Sequence, residues 1–118
     1  MSEDVYWVMA ATVKDGKLDD LKSLIHGLVS EKQTSEPGTL NYEWTLSDDE
    51  GTCHIYERFA DSAAVLAHLA GFPAFAERFM DALEATGFVV YGDPTAEVRE
   101  ALAPFGAVFM TPVGGFAR

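Results

Sequence analysis

Residues 5 to 13, VYWVMAATV, are apolar on both alternations of a β-strand. A strand that is apolar on both sides has to be covered on both sides. This requirement limits the fold more than any other feature of the chain. Either helices lie on both faces of the sheet, or helices cover one face and a second molecule covers the other.

The elements that follow supply helices for only one face. DGK at 15–17 has turn chemistry, and residues 18–29 then place Leu18, Leu21, Leu24, Ile25, Leu28 and Val29 at helical spacing, with Lys17, Asp20, Lys22 and Ser23 on the other side. This amphipathic helix is expected to end near SEPG. Leu40, Tyr42, Trp44 and Leu46 alternate with Asn41, Glu43, Thr45 and Ser47, the pattern of a strand, and SDDEG at 47–51 is a hairpin turn. The partner strand over 52–59 has Cys53, Ile55, Glu57 and Phe59 on one side and Thr52, His54, Tyr56 and Arg58 on the other. Asp61 suits the N-cap of a helix SAAVLAHLA that Gly71 ends. Phe72, Phe75, Phe79 and Leu83, with Met80 beside them, mark a further helix stripe, and 85–93 reads as a fourth strand. Asp93 is expected to cap a short helix with Pro94 at its first position and Glu97 in its first turn. A last strand is expected over 106–113, and GGFAR reads as a tail with no strand-to-helix context for a phosphate loop at Gly114 and Gly115.

The expected order is strand, helix, strand, strand, helix pair, strand, and then a helix and a strand as an appendage. It predicts an α+β fold, ferredoxin-like, with an antiparallel sheet and helices on one face. Residues 1–118 form a single domain in this reading, with the core over 5–92 and the C-terminal helix and strand over 93–113. The bare face, carrying Tyr, Trp and Ile positions, predicts a homodimer whose two sheets face each other, and an interface of that kind needs roughly 1,000 Å². A cleft between sheet and helices is then available to a small apolar ligand.

Composition narrows the ligand. Lys and Arg number 8 against 19 Asp and Glu, a formal charge of −11, which repels phosphate backbones and anionic membranes. Eight Phe, four Tyr and two Trp are many for 118 residues, and some are expected to line a pocket. Cys53 is the single cysteine, so no internal disulfide forms; it reads as a buried inert thiol, and no Cys/His cluster has metal-ligand spacing. The N-terminal residues lack signal-peptide character and no 18-residue apolar run occurs, so a cytoplasmic protein is expected.

Two segments, EPGTLNYEW (36–44) and IYERFADSAAVLAHLAGFPAF (55–75), resemble the antibiotic biosynthesis monooxygenase family. The resemblance spans about residues 5–92. It implies a dimeric α+β barrel, and, in the quinol monooxygenases of the family, oxidation of a phenol or quinol by O₂ with no metal or flavin. The haem-degrading branch relies on an Asn, a Trp and a His. The position of its Trp looks like His68 here, that of its His looks like Arg78, and the first strand has no Asn, so haem degradation is disfavoured.

A cofactor-free oxygenase has to bind a flat ring, remove a proton from it, and keep water from the reactive intermediate. His68 is the candidate base, because histidine titrates closest to neutral pH. Glu57, aimed at an apolar side, is its candidate support, since a buried carboxylate needs a partner. A core histidine and a structural ion pair are the plainer readings of the same two residues. Trp7, Tyr42, Trp44 and Tyr56 are candidate substrate-binding walls. Arg58, Asn41 and His54 read as edge, interface or solvent positions, Ser62 as a helix-start residue, and Phe72, Phe75 and Phe79 as core. Small aromatic substrate and O₂ are the expected partners, with no cofactor and no metal. A non-catalytic small-ligand-binding or stress-associated dimer, and an isomerase or other proton-shuttling enzyme on the same barrel, are the alternatives. Oxygen dependence and turnover separate them.

Overall fold

The protein is described from a computed structural model covering residues 3–118. Its strands are β1 (Val5–Val13), β2 (Thr39–Leu46), β3 (Thr52–Phe59), β4 (Leu83–Tyr91) and β5 (Val108–Met110), and its α-helices are α1 (Leu18–Ser35), α2 (Ser62–Ala70), α3 (Ala76–Ala82) and α4 (Ala96–Leu102). Short 3₁₀ turns at Phe72–Ala74 and Ala103–Phe105 precede α3 and follow α4. The sheet order is β2-β3-β1-β4-β5. The first three pairings are antiparallel and β4–β5 is parallel, so the sheet is mixed. The ferredoxin-like α+β fold expected from the pattern is the fold observed, and the parallel fifth strand extends it at one edge.

One alternation of the sheet carries the core. Val5, Trp7 and Ala11 of β1, Cys53, Ile55 and Phe59 of β3, and Phe88 and Val90 of β4 are buried against Leu21, Leu24 and Leu28 of α1, Val65 of α2, Phe79 of α3, and Val98 and Leu102 of α4. Two irregularities set this register. Between β1 and β4 the pairing slips after Ala10–Gly87 to Ala11–Ala85, so Thr86 is an extra residue. This bulge lets Leu83 and Phe88, at odd and even positions, both enter the core. Between β2 and β3 the pairing skips Leu40, which is exposed and does not join Tyr42 and Trp44 as strict alternation predicted.

The opposite face holds Tyr6 stacked on Tyr91 at 5.2 Å and edge-on to Tyr56 at 6.4 Å. Val8 pairs with Tyr56 on one side and Val89 on the other. These residues are only half-buried or exposed, and no helix among the described residues covers them. The double-sided apolarity of β1 is therefore satisfied on one side within the chain.

Several boundaries differ from expectation for local reasons. Helix α1 runs to Ser35, six residues beyond the last apolar position, and in doing so carries Lys32 onto the buried face. Leu83 starts β4 instead of closing the Phe72–Phe79 stripe, because the chain turns extended at that residue. The N-cap of α4 is Thr95, whose hydroxyl accepts from the Val98 amide, so Pro94 precedes the helix; Asp93 faces Arg99 instead, at 3.6 Å. Asp61 caps α2 as expected, accepting from the Ala64 amide at 2.9 Å.

Candidate active site

Strand pairing builds a row of side chains across the inner face. Glu57 on β3 lies directly opposite Tyr42 on β2 and Trp7 on β1, and Trp7 lies opposite Val90 on β4. The alternation that sends Ile55 and Phe59 inward sends Glu57 inward with them. Helix α2, started by the Asp61 cap, then lays His68 over this row. The His68 ring sits 5.1 Å from the ring of Phe59, 5.7 Å from Tyr42 and 6.3 Å from Trp7. Glu57 and His68 are each 6% exposed, so two ionisable groups are buried side by side in an otherwise apolar core.

Every polar atom of His68 is engaged. Its Nε2 is 2.8 Å from Glu57 Oε1 and its Nδ1 is 2.7 Å from Glu36 Oε1. Glu36 is held in turn by Lys32 Nζ at 3.0 Å and by the Thr39 hydroxyl, which donates at 2.9 Å. The other oxygen of Glu57 accepts from the Trp7 indole N–H at 2.5 Å. The Nε2–Oε1 approach is close but off the line of the ring N–H, so Glu57 Oε1 retains unused accepting capacity. The result is a buried row Trp7–Glu57–His68–Glu36–Lys32 with alternating charge.

Burial works against a charge on His68, and the carboxylates of Glu57 and then Glu36 outweigh it, so the His68 pKa stands above its ordinary 6.5. Glu36 is the converse: burial raises its pKa, while His68 and Lys32 bring it below the ordinary carboxylate value. The imidazole thus sits between two carboxylates that favour its charged form against burial. Burial, reinforced by the nearby Glu57 carboxylate, pushes the Tyr42 phenol well above its ordinary range, so Tyr42 remains a neutral hydrogen-bond donor. Burial alone raises the Cys53 thiol to about 11 and leaves it inert.

A cavity of about 290 Å³ opens beside Glu57 and His68. That is near the low end of the roughly 300–1,000 Å³ usual for small-molecule sites. Trp7, Tyr42 and Trp44 form its sheet side, and Phe72, Phe75 and Phe79 its helix side. Leu102 and Phe105, from the C-terminal segment, complete the wall. Met80, Ala85 and Phe105 are exposed and mark the mouth. The Trp44 indole N–H is buried there without an acceptor.

Of the six residues picked out from sequence, the fold brings five together: His68, Glu57, Trp7, Tyr42 and Trp44. Tyr56 is the exception. It lies between Ile55 and Glu57, so the strand turns it to the opposite face beside Tyr6, away from the cavity. Arg58 pairs with Asp4 and His54 is exposed, as expected for outward positions. The three phenylalanines read as core line the cavity as well. Sequence reasoning missed Glu36 and Lys32. The signal was present: Lys32 continues the spacing of Leu21, Leu24 and Leu28, and Glu36 follows it by one more turn. Among the described residues no set of three or more His, Cys, Asp or Glu converges on a metal position, since His68 separates the two carboxylates. No helix among them is long and apolar enough to cross a membrane.

Comparison with known proteins adds a lineage. The family model for antibiotic biosynthesis monooxygenase matches residues 5–85. No curated protein matches the chain by sequence. Among solved structures, MupZ from Pseudomonas fluorescens is 20% identical with a TM-score of 0.86, covering 100% of this chain and 91% of that one. SnoaB from Streptomyces nogalater, described as a cofactor-independent oxygenase, is 16% identical with a TM-score of 0.66, covering 80% and 97%. SO0527 from Shewanella oneidensis is 26% identical with a TM-score of 0.61, covering 76% and 88%.

Proposed function

The chain belongs to the antibiotic biosynthesis monooxygenase family, and from that premise we propose that it is a cofactor-independent monooxygenase. Its substrate is a small phenolic, quinol or polyketide-like aromatic compound, and its co-substrate is O₂. The observation that carries this reading is a buried acid–base unit, Glu57 with His68, opening into an aromatic cavity of about 290 Å³. The cofactor-independent oxygenase named among its structural relatives supports the same class.

The reaction needs only what the site offers. Both nitrogens of His68 are occupied by carboxylates, so Glu57 is the group that meets the substrate and His68 holds the proton balance behind it. Glu57 takes a proton from the bound phenol or its CH₂ tautomer. The resulting anion passes one electron to O₂, and the radical pair joins at carbon to give a hydroperoxide. Loss of water then leaves a carbonyl: R₂CH₂ + O₂ gives R₂C=O + H₂O, with the substrate carbon supplying all four electrons. The same unit returns the proton to the departing oxygen. Trp7, Tyr42 and Trp44 hold the ring, and the phenylalanines exclude water.

The test is oxygen uptake by metal-stripped protein with reduced naphthoquinones and hydroxylated anthrones. Glu57→Gln should lose at least roughly a hundredfold in rate, the low end of what a positioned base contributes. Absence of uptake on every such ring, or equal rates in wild type and Glu57→Gln, would sink the reading. A second reading, a proton-transfer reaction without O₂, draws on the imidazole held between two carboxylates, which is acid–base equipment that no oxygen step requires. Turnover under strict anaerobiosis identifies it.

The homodimer belongs to the same proposal. Tyr6, Tyr56, Tyr91, Val8 and Val89 form a half-buried apolar face, and a second copy is the partner that covers it. Tyr6→Asp, which puts a charge into the centre of that face, should shift sedimentation to the monomer. A wild-type monomer at micromolar concentration overturns this part.

A further inference from the structure

The two carboxylates that flank His68 are held unequally. Both oxygens of Glu36 are engaged: Oε1 accepts from the Thr39 hydroxyl at 2.9 Å and lies 2.7 Å from His68 Nδ1, and Oε2 is 3.0 Å from Lys32 Nζ. Glu57 has one donor from outside the row, the Trp7 indole on Oε2, and its Oε1 has accepting capacity left over. Among the described residues Lys32 is the one Lys or Arg paired with either carboxylate. Its ammonium is sealed in the protein. Lys32 is 3% exposed, its Nζ lies 5.4 Å from the centre of the Phe75 ring, and a Cβ on Gly71 would come within 2.7 Å of it. Glu57 and His68 line the aromatic cavity, whereas Glu36 and Lys32 form the end of the row remote from it.

The proposed reaction makes a demand on such a row. The proton taken from the ring is returned to the departing oxygen, so it has to be held beside the cavity for the life of the intermediate. Two carboxylates around one imidazole offer two places for it, and on Glu36 it would be out of reach of the ring. We propose that Lys32 is a positioning residue: by pairing with Glu36 it leaves the Glu57–His68 end of the row, on the cavity, as the place where a proton is taken up and kept. The inference rests on the oxygenase reading for the need to return the proton, while the bias is a property of the row itself. Protonating Glu36 would remove the anion that compensates a buried ammonium, leaving Lys32 only Glu31, which is 3.7 Å away and exposed. A proton at the cavity end leaves Glu36 an anion in contact with both Lys32 and His68. Burial raises the Glu36 pKa, and His68, Lys32 and Thr39 together bring it below its ordinary value, in agreement with this bias. The titratable groups around the Lys32–Glu36 pair are Glu31 from α1, Tyr42 from β2, His68 from α2 and, across His68, Glu57 from β3.

Carbon-13 NMR of the glutamate carboxyls, on the intact protein without substrate, reads the bias, and steady-state oxygen uptake reads its use. Lys32→Met keeps the length of the side chain and removes its charge. The Glu36 titration midpoint should rise by about 1–3 pH units. A rise of one unit corresponds to a loss of about tenfold in kcat, with KM unchanged because Lys32 does not line the cavity. Adding Glu36→Gln, whose amide cannot hold a proton, should restore most of that rate, a rescue that lost packing alone would not allow. Thr39→Val removes the other donor to Glu36 and should move the midpoint the same way by less; it is the variant read if Lys32→Met does not fold. An unmoved Glu36 midpoint in the variant read, or a rate loss in Lys32→Met that Glu36→Gln does not relieve, overturns the positioning role. A raised midpoint in a protein that takes up no oxygen with any ring supports the bias and removes the oxygenase. Oxygen uptake with an unmoved midpoint does the reverse.

Discussion

Replacing Glu57 with Gln tests whether the inner carboxylate holds His68 charged. Glu57 is 6% exposed, accepts from the Trp7 indole at 2.5 Å and lies 2.8 Å from His68 Nε2. Gln preserves the shape and can still accept from the Trp7 indole, but the amide cannot compensate an imidazolium. Removing one partner of a buried pair costs about 3–5 kcal/mol, and the retained Trp7 bond places the loss near the lower figure, about 3 kcal/mol. The pH dependence follows from the two shifted groups. The folded His68 pKa is above 6.5, so its contribution to stability is complete below 6.5 and is lost as pH rises through the folded value. The folded Glu36 pKa is below 4.5, so its contribution is complete above 4.5 and is lost as pH falls through the folded value. The row is therefore most stabilising between about pH 4.5 and 6.5. Urea unfolding at one fixed protein concentration, at pH 5.5 and pH 9, should show the largest gap between wild type and Glu57→Gln at pH 5.5. The gap should shrink at pH 9 by about 1.4 kcal/mol for each unit by which Glu57 raises His68. A gap under about 1 kcal/mol at pH 5.5, or one that widens with pH, refutes the clamped imidazolium.

Three further outcomes follow from the same geometry. Phe105→Ala removes the edge contact to Phe72 at 5.6 Å from the cavity mouth, so thermal-shift screening should show larger ring systems accepted, for a stability loss of about 1 kcal/mol. Gly71→Ala puts a Cβ 2.7 Å from Lys32 Nζ; Lys32 should be displaced, Glu36 should titrate closer to 4.5 by carbon-13 NMR, and stability should fall by about 1–2 kcal/mol. Tyr56→Phe, on the outer face beside Tyr6, should leave ligand binding and turnover unchanged, which steady-state rates and calorimetry check directly.

Legibility in the sequence tracked how local the determining physics is. The corner at 54–68 was readable because strand alternation aims Glu57 and the Asp61 cap starts α2, and both are short-range rules. The side of the sheet that faces the helices was not readable, yet it decides that Trp7 belongs to the site and Tyr6 does not. Glu36 and Lys32 escaped because a lysine at the end of an amphipathic helix looks like a solvent group, and only the partner carboxylate, supplied by the turn into β2, makes its burial tolerable. Leu40 misled for the opposite reason. Its alternation was correct, but a register slip on the edge strand turned it out. Thr95 replaced Asp93 as cap because the cap is chosen by where the chain leaves β4, which no window around Pro94 contains.

Under the proposed function, the two parts of the chain divide the labour between chemistry and selectivity. Glu36, Glu57 and His68 all fall within residues 5–85, the stretch shared with the family. They sit on the turn into β2, the middle of β3, and the capped helix α2. Leu102 and Phe105 fall outside that stretch, on a segment tied down by the short parallel pairing of β5 to β4 and by Val98 and Leu102 in the core. MupZ matches this chain over its full length, while SnoaB and SO0527 match 80% and 76% of it. Four ionisable side chains in a core of this size are a poor route to stability, because well-packed apolar residues of similar volume do as well or better. In the proposed reaction their part is to hold and move a proton. Leu102 and Phe105 carry no charge into the cavity, so under the proposed function changes there should alter which ring fits while leaving the acid–base row intact.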